Sequence, residues 1–231
     1  MNISVLGTGA VGQALAARLT DLGHQVFMGT RNVADSLKKT EADNWGNLAI
    51  GTWIKEHPKV ELLTFKEAVE KGNDLIVFAM NGQAAFDCLD SVGEPGLSNK
   101  VMVDISNPLD FSQGFPPSLF VSNTESLGEQ IQSRYPNLKV VKTLNTMSNP
   151  VMVNPKLIAG DHSVFVSGND EAAKAIVTRL LNSFGWEDKN IIDLGDITTA
   201  RGTEMILPLW VRLYGKLQTP FFNFHVNIAS R

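Results

Sequence analysis

The sequence predicts an α/β protein with a doubly wound, mostly parallel sheet and a small C-terminal α+β domain. Strand-type apolar runs alternate with helical periodicity from the N-terminus onward, a glycine pattern occupies the first strand-to-helix turn, and the alternation changes character beyond about residue 150. The expected division is a first domain over residues 1–150 and a small second one over residues 151–231.

Ile3 to Leu6 is the first apolar run, stopped by Gly7. Val11, Leu15, Leu19 and Leu22 then recur at helical spacing, with Gly23 where a helix ends. Val26 to Met28 reads as the second strand, and Asn32 as the cap of a helix from Val33. Trp45, Leu48, Ile50, Trp53 and Ile54 suggest a short helix ended by Pro58. Val60 to Leu63 is a third strand, followed by one or two helical turns over Phe65 to Glu70. Leu75 to Phe78 is a continuous β-type run, the mark of a strand buried on both faces. Gln83 to Leu89 reads as helix and Val101 to Ile105 as a fifth strand, broken by Ser106-Asn107-Pro108.

A Pro/Gly/Ser-rich loop through Gly114, Pro116 and Pro117 precedes a helix, with Ser122 and Glu125 at capping-box spacing. Leu138 to Val141 is a sixth strand. Farther on, Val164 to Val166 and Ile191 to Leu194 read as strands and Glu171 to Phe184 as an amphipathic helix. Thr203 to Gln218 reads as one helix with little polar surface, kinked at Pro208. A helix so apolar needs cover on more than one side, which points to a homodimer formed through it; a wholly intramolecular core helix is the plainer reading.

The formal charge of 20 − 24 = −4 gives no general attraction for nucleic acid or an acidic membrane surface. A single cysteine, Cys88, excludes an intramolecular disulfide and fits a reducing compartment. The N-terminus lacks the layout of a signal peptide, and no apolar run reaches the roughly 18 residues of a membrane span. A cytoplasmic protein without nucleic-acid or membrane partners is the expectation.

Gly7-Thr8-Gly9-Ala10-Val11-Gly12 is a G-x-G-x-x-G pattern that follows a strand and opens a helix, the context in which it binds a dinucleotide. Gly7 makes the turn, Gly9 admits the pyrophosphate to the backbone, and Gly12 lets helix and strand pack closely. The helix N-terminus supplies free N–H groups and the positive end of its dipole. This makes residues 1–150 a Rossmann-type domain. At the tip of the second strand an NAD site usually carries an acid for the ribose 2′-OH. Here the tip reads Gly29-Thr30-Arg31-Asn32, with no acid before Asp35. A hydroxyl and a permanently charged planar fork suit a 2′-phosphate, so NADP(H) is the expected cofactor. The bland alternative is an Arg31 that is merely solvated or paired with Asp35.

Acid–base and metal chemistry are poorly provided for. His24, His57, His162 and His225 show no metal-ligand spacing, and Cys88 lies in an apolar helix and reads as inert. No catalytic acid, base or metal ligand is expected; hydride transfer between two ring systems needs positioning in a dry pocket instead. The carboxyl ends of strands four to six carry Ala79-Met80-Asn81-Gly82, Ser106-Asn107-Pro108 and Thr143-Leu144-Asn145-Thr146-Met147. These neutral side chains suit a nicotinamide or a flavin-like ring, although any one asparagine also reads as a loop cap.

Taken with Val140-Val141-Lys142-Thr143-Leu144-Asn145-Thr146, these segments resemble the coenzyme F-420 (F420)-dependent NADP oxidoreductases over nearly the whole chain. The resemblance implies hydride exchange between NADP(H) and a deazaflavin, coenzyme F420; the neutral strand ends leave a flavin-like acceptor open beside it. It implies that Thr8, Thr30 and Arg31 meet the adenosine 2′-phosphate, that Met80, Asn81, Asn145 and Met147 lie near the nicotinamide, and that the protein is a dimer. Two other readings remain at this point: an NADP-dependent dehydrogenase or reductase of a small organic substrate, and a non-catalytic NADP(H) redox sensor. The first requires a placed base, for which the last helix offers only Lys216.

Overall fold

The computed structural model describes residues 1–43 and 46–229. Trp45, assigned above to a short helix, lies outside them. Among the described residues ten strands form: β1 (Asn2–Leu6), β2 (Gln25–Thr30), β3 (Val60–Thr64), β4 (Leu75–Phe78), β5 (Val101–Asp104), β6 (Leu109–Asp110), β7 (Ser118–Leu119), β8 (Lys139–Thr143), β9 (Val164–Gly168) and β10 (Ile191–Gly195). Eight of them make one sheet in the order β10-β9-β8-β5-β4-β1-β2-β3. From β3 to β8 every pairing is parallel; β9 runs antiparallel to β8, and β10 parallel to β9. Read from β3, the first six strands have the doubly wound order of a dinucleotide-binding sheet. The division expected near residue 150 falls between β8 and β9, which lie side by side in this sheet.

The helices are α1 (Ala10–Asp21), α2 (Val33–Leu37), α3 (Ile50–Glu56), α4 (Phe65–Lys71), α5 (Ala85–Val92), α6 (Glu94–Leu97), α7 (Leu127–Arg134), α8 (Asn149–Val153), α9 (Glu171–Phe184), α10 (Ala200–Met205) and α11 (Leu207–Leu217). They cover the sheet with two apolar layers. One packs Leu15, Leu19, Ile50, Trp53, Val177 and Leu181 on one face; the other packs Phe65, Val69, Leu89, Leu127 and Ile131 on the opposite face. Burial on both faces explains why β4 and β5 lack polar alternation. No helix among the described residues is long and apolar enough to cross a membrane.

Three local expectations need correction. Helix α7 starts four residues later than Ser122 implied. Ser126 is the cap, exchanging bonds with Glu129, because the N–H groups of Leu127 and Gly128 are drawn to the buried carboxylate of Glu204. The segment after β5 is not simply a loop: β6 and β7 pair as a short antiparallel hairpin. The helix expected over 203–218 is two helices, separated at Ile206, with Pro208 in the first turn of α11. Proline lacks the amide that would continue the ladder, so the chain breaks where a kink was expected.

Candidate functional site

The sheet order reverses between β1 and β4, and the crevice at their carboxyl ends is where such sheets bind ligands. Gly7 turns the chain there at φ +120, with its N–H bonded to the Gly29 carbonyl. A Cβ on Gly7 would strike the Ala79 carbonyl, and one on Gly12 the Gly7 carbonyl, so both positions admit only glycine. Gly9 differs: a Cβ there would meet nothing within 4 Å. Its face is open, and it caps α1 without any side-chain hydrogen bond. The first N–H groups of this 12-residue helix thus have no side-chain cap, which leaves them for an anion. Gln13 braces the turn from behind, donating to the Thr8 carbonyl at 3.0 Å and the Leu48 carbonyl at 2.9 Å.

Two cavities open on either side of the β4 end. The first, about 350 Å³, is lined by the Gly7-Thr8-Gly9 turn, the Gly29-Thr30-Arg31 tip, Lys39, Phe65 and Ala79 to Asn81. Among the described residues its lining has two cations and no carboxylate. Arg31 is exposed and makes no hydrogen bond or ion pair among the described residues, while Asp35 pairs with Lys38 at 3.1 Å. Thr30 is buried and shares a 2.7 Å hydrogen bond with the Ser36 hydroxyl. Asn32 caps α2 by accepting from the Asp35 amide. Lys39 was not singled out from sequence; β2 and the stretch after α2 bring it beside Arg31.

The second cavity, about 180 Å³, is lined by Val11, Ala79 to Gly82, Ile105 to Asn107, Leu109 and Phe111. No side chain lining it is titratable. Asn107 exchanges two hydrogen bonds with Asn145: its Nδ2 donates to the Asn145 carbonyl and its Oδ1 accepts from Asn145 Nδ2, both at 3.0 Å. Asn81 caps the turn after β4, accepting from the Gln83 amide. Asn145 is buried and reaches this cavity only through Asn107; Met147 is buried in the larger apolar layer and lines neither cavity. Phe111, on the hairpin loop, escaped the sequence reading, and Lys142, buried behind Ser106, entered it only as part of the family-like segment, with no role of its own. A hairpin of two-residue strands carries too little alternation to read, and a lysine inside a strand looks like surface until its partners are known.

The remaining titratable candidates stay out of both cavities. Burial pushes the Cys88 thiol up to about 12, against the opposing pull of the Arg31 charge, so it is no nucleophile at neutral pH. His57 stacks on Trp53, and His162 bonds to the Pro155 carbonyl and to Asn223.

A crystal structure from Arthrobacter sp. FB24, a candidate F420-dependent NADP-reductase, is 50% identical and superimposes with a TM-score of 0.92, covering 99% of this chain and 100% of that one. The chain belongs to the family of coenzyme F420-dependent NADP oxidoreductases. The family described as NADP oxidoreductase, coenzyme F420-dependent, matches residues 2–108, the part that holds the glycine turn and the first five sheet strands. The F420-dependent NADP reductase of Methanothermobacter marburgensis is 25% identical over 92% of each chain. Rat metalloreductase STEAP3 is 26% identical over 90% of this chain, which spans only 37% of that protein's length. Membership makes this chain an NADP-dependent oxidoreductase.

Proposed function

We propose that this protein transfers a hydride between NADP(H) and a deazaflavin, coenzyme F420, or a flavin-like acceptor. One observation carries the reading: a cationic cavity and a neutral cavity share Ala79, Met80 and Asn81, with the open helix N-terminus and glycine turn on the cationic side. Backbone N–H groups at Gly9 to Val11 hold the pyrophosphate. Thr8, Arg31 and Lys39 face the 2′-phosphate, with Thr30 shaping the floor. Met80, Asn81 and Asn107 flank the nicotinamide, and Asn145 and Met147 support that end from the interior. NADP(H) supplies the hydride chemistry, and the chain supplies orientation and exclusion of water. The neutral lining favours a ring acceptor over a carbonyl or imine, because reducing those requires a placed proton donor.

The exposed apolar residues Met205, Leu209 and Leu217 on α10 and α11 support a homodimer through this part of the chain, and the lone, buried Cys88 suits the reducing cytoplasm. The test is NADPH-dependent loss of the visible absorption of coenzyme F420, followed in parallel with FMN. Turnover with either supports the proposal; tight NADPH binding with no turnover on either would overturn it.

A further inference from the structure

Behind the neutral cavity lies a concentration of buried charge that hydride transfer does not itself require. The Lys142 ammonium reaches Asp104 Oδ2 at 2.9 Å, Glu204 Oε1 at 2.7 Å and the Ser106 carbonyl at 2.6 Å, and all three charged side chains are fully buried. Asp104 Oδ1 accepts from both the amide and the hydroxyl of Ser106, at 2.9 and 2.6 Å. Glu204 accepts from the amides of Leu127 and Gly128 at the start of α7. Such clusters are weak sources of stability, since apolar side chains of similar volume often do as well or better. What this one accomplishes is geometric. Ser106 is held at its amide, its hydroxyl and its carbonyl, and the next residue is Asn107. On the facing strand end, Leu144 stands at φ 63, a left-handed conformation that a leucine adopts only when its surroundings impose it, and the next residue is Asn145. Both members of the carboxamide pair thus follow directly on over-determined backbone.

We infer that Lys142, together with Asp104 and Glu204, is a positioning group that fixes the Asn107–Asn145 pair against the nicotinamide end of the bound dinucleotide and ties that end to helix α10. The inference rests on the assignment of the neutral cavity to the nicotinamide. Lys142 touches no substrate; it acts through Ser106. Removing its charge frees the Ser106 carbonyl and leaves two carboxylates facing each other, so the loop that carries Asn107 shifts while the glycine turn, on the far side of β4, keeps its shape.

Two ligands separate these ends: NADPH fills both, and 2′,5′-ADP fills only the adenosine end. Lys142→Met and Asp104→Asn are expected to weaken NADPH about tenfold, the worth of one hydrogen bond, while 2′,5′-ADP affinity stays within about twofold. The emission polarisation of bound NADPH should fall as well, reporting a looser nicotinamide. Asp104→Asn keeps the side-chain volume and carries the test if Lys142→Met does not fold. Asn107→Ala is the control for the underlying assignment: if it leaves the NADPH to 2′,5′-ADP affinity ratio unchanged, the neutral cavity does not hold the nicotinamide and both ideas fail. If Asn107→Ala lowers the ratio and the cluster variants do not, or if they weaken both ligands in parallel, the positioning role is overturned and the cavity assignment stands.

Discussion

The cavity around Thr8, Arg31 and Lys39 and the cavity around Ser106, Asn107 and Phe111 meet at the end of β4, yet they draw their chemistry from opposite sources. In the first, the binding groups are backbone amides and exposed cations that line the cavity directly. In the second, the groups at the surface are neutral, and the charge lies one layer deeper in Lys142, Asp104 and Glu204. A phosphate brings its own two negative charges and can be met by mobile, solvated cations. A neutral ring offers only shape and a few hydrogen bonds, so the groups that meet it must be held still from behind.

The largest expected effect tests whether the backbone makes the first cavity. Gly12→Ala places a methyl group on the Gly7 carbonyl, so the variant should lose about 3 kcal/mol or more of stability and bind no NADPH. Gly9→Ala is the matched contrast, since its Cβ meets nothing within 4 Å. Its unfolding temperature should match the parent's, and its NADPH affinity should fall at least about tenfold, because the methyl group occupies the pyrophosphate's line of approach. A Gly9→Ala protein that binds NADPH normally would remove the glycine turn from the site.

The next effect concerns the exposed cations. Arg31→Ala should cost about 1.5–3 kcal/mol in NADPH binding, the range for a hydrogen bond to a charged group, and leave NADH binding unchanged. Lys39→Ala should cost less, about 0.5–1 kcal/mol, because an ammonium on an exposed flexible stem is strongly screened. Isothermal titration with both nucleotides checks each. Equal losses for NADPH and NADH would mean that these residues do not read the 2′-phosphate.

The same contrast governs what the sequence discloses. The glycine turn and Arg31 are legible because their reasons are local: a turn, a strand tip and the absence of an acid. All six strands of the dinucleotide-binding order, β1 to β5 and β8, and α9 from Glu171 to Phe184, could be read because each carries its own apolar run or periodicity. The second cavity is legible only in part. Asn107 and Asn145 stand out as polar residues at strand ends, but nothing in the sequence shows that they bond to one another across 38 positions. Lys142, Asp104 and Glu204 are scattered over the chain and have meaning only once β5, β8 and α10 are assembled. The start of α7 was misplaced for the same reason: the groups that fix it include a carboxylate 77 residues away.

The smallest effect separates the buried cluster from the half-buried pair beside it. Arg201 on α10 and Glu129 on α7 join the same two helices as Glu204, but only half-buried. The hydrogen bonds from Arg201 hold the Glu129 carboxyl below its ordinary value, against a partial burial that works the other way. A depressed carboxylate contributes stability that is whole above its unfolded value and is lost as pH falls through the lower, folded one. Lys142 behaves oppositely. Burial would pull its ammonium down, but Asp104 and Glu204 outweigh that and hold it above the ordinary lysine value, so its contribution is whole below that value and is lost only in strong alkali. Glu129→Gln should therefore lower the unfolding temperature at pH 7 by only about 2 °C, since partly exposed pairs contribute about 0.5–1 kcal/mol. The difference from the parent should vanish at a pH low enough to protonate Glu129 in the parent, and NADPH affinity at pH 7 should not change. A loss of NADPH affinity in Glu129→Gln would show that the half-buried pair, and not the buried lysine, sets the geometry of the neutral cavity.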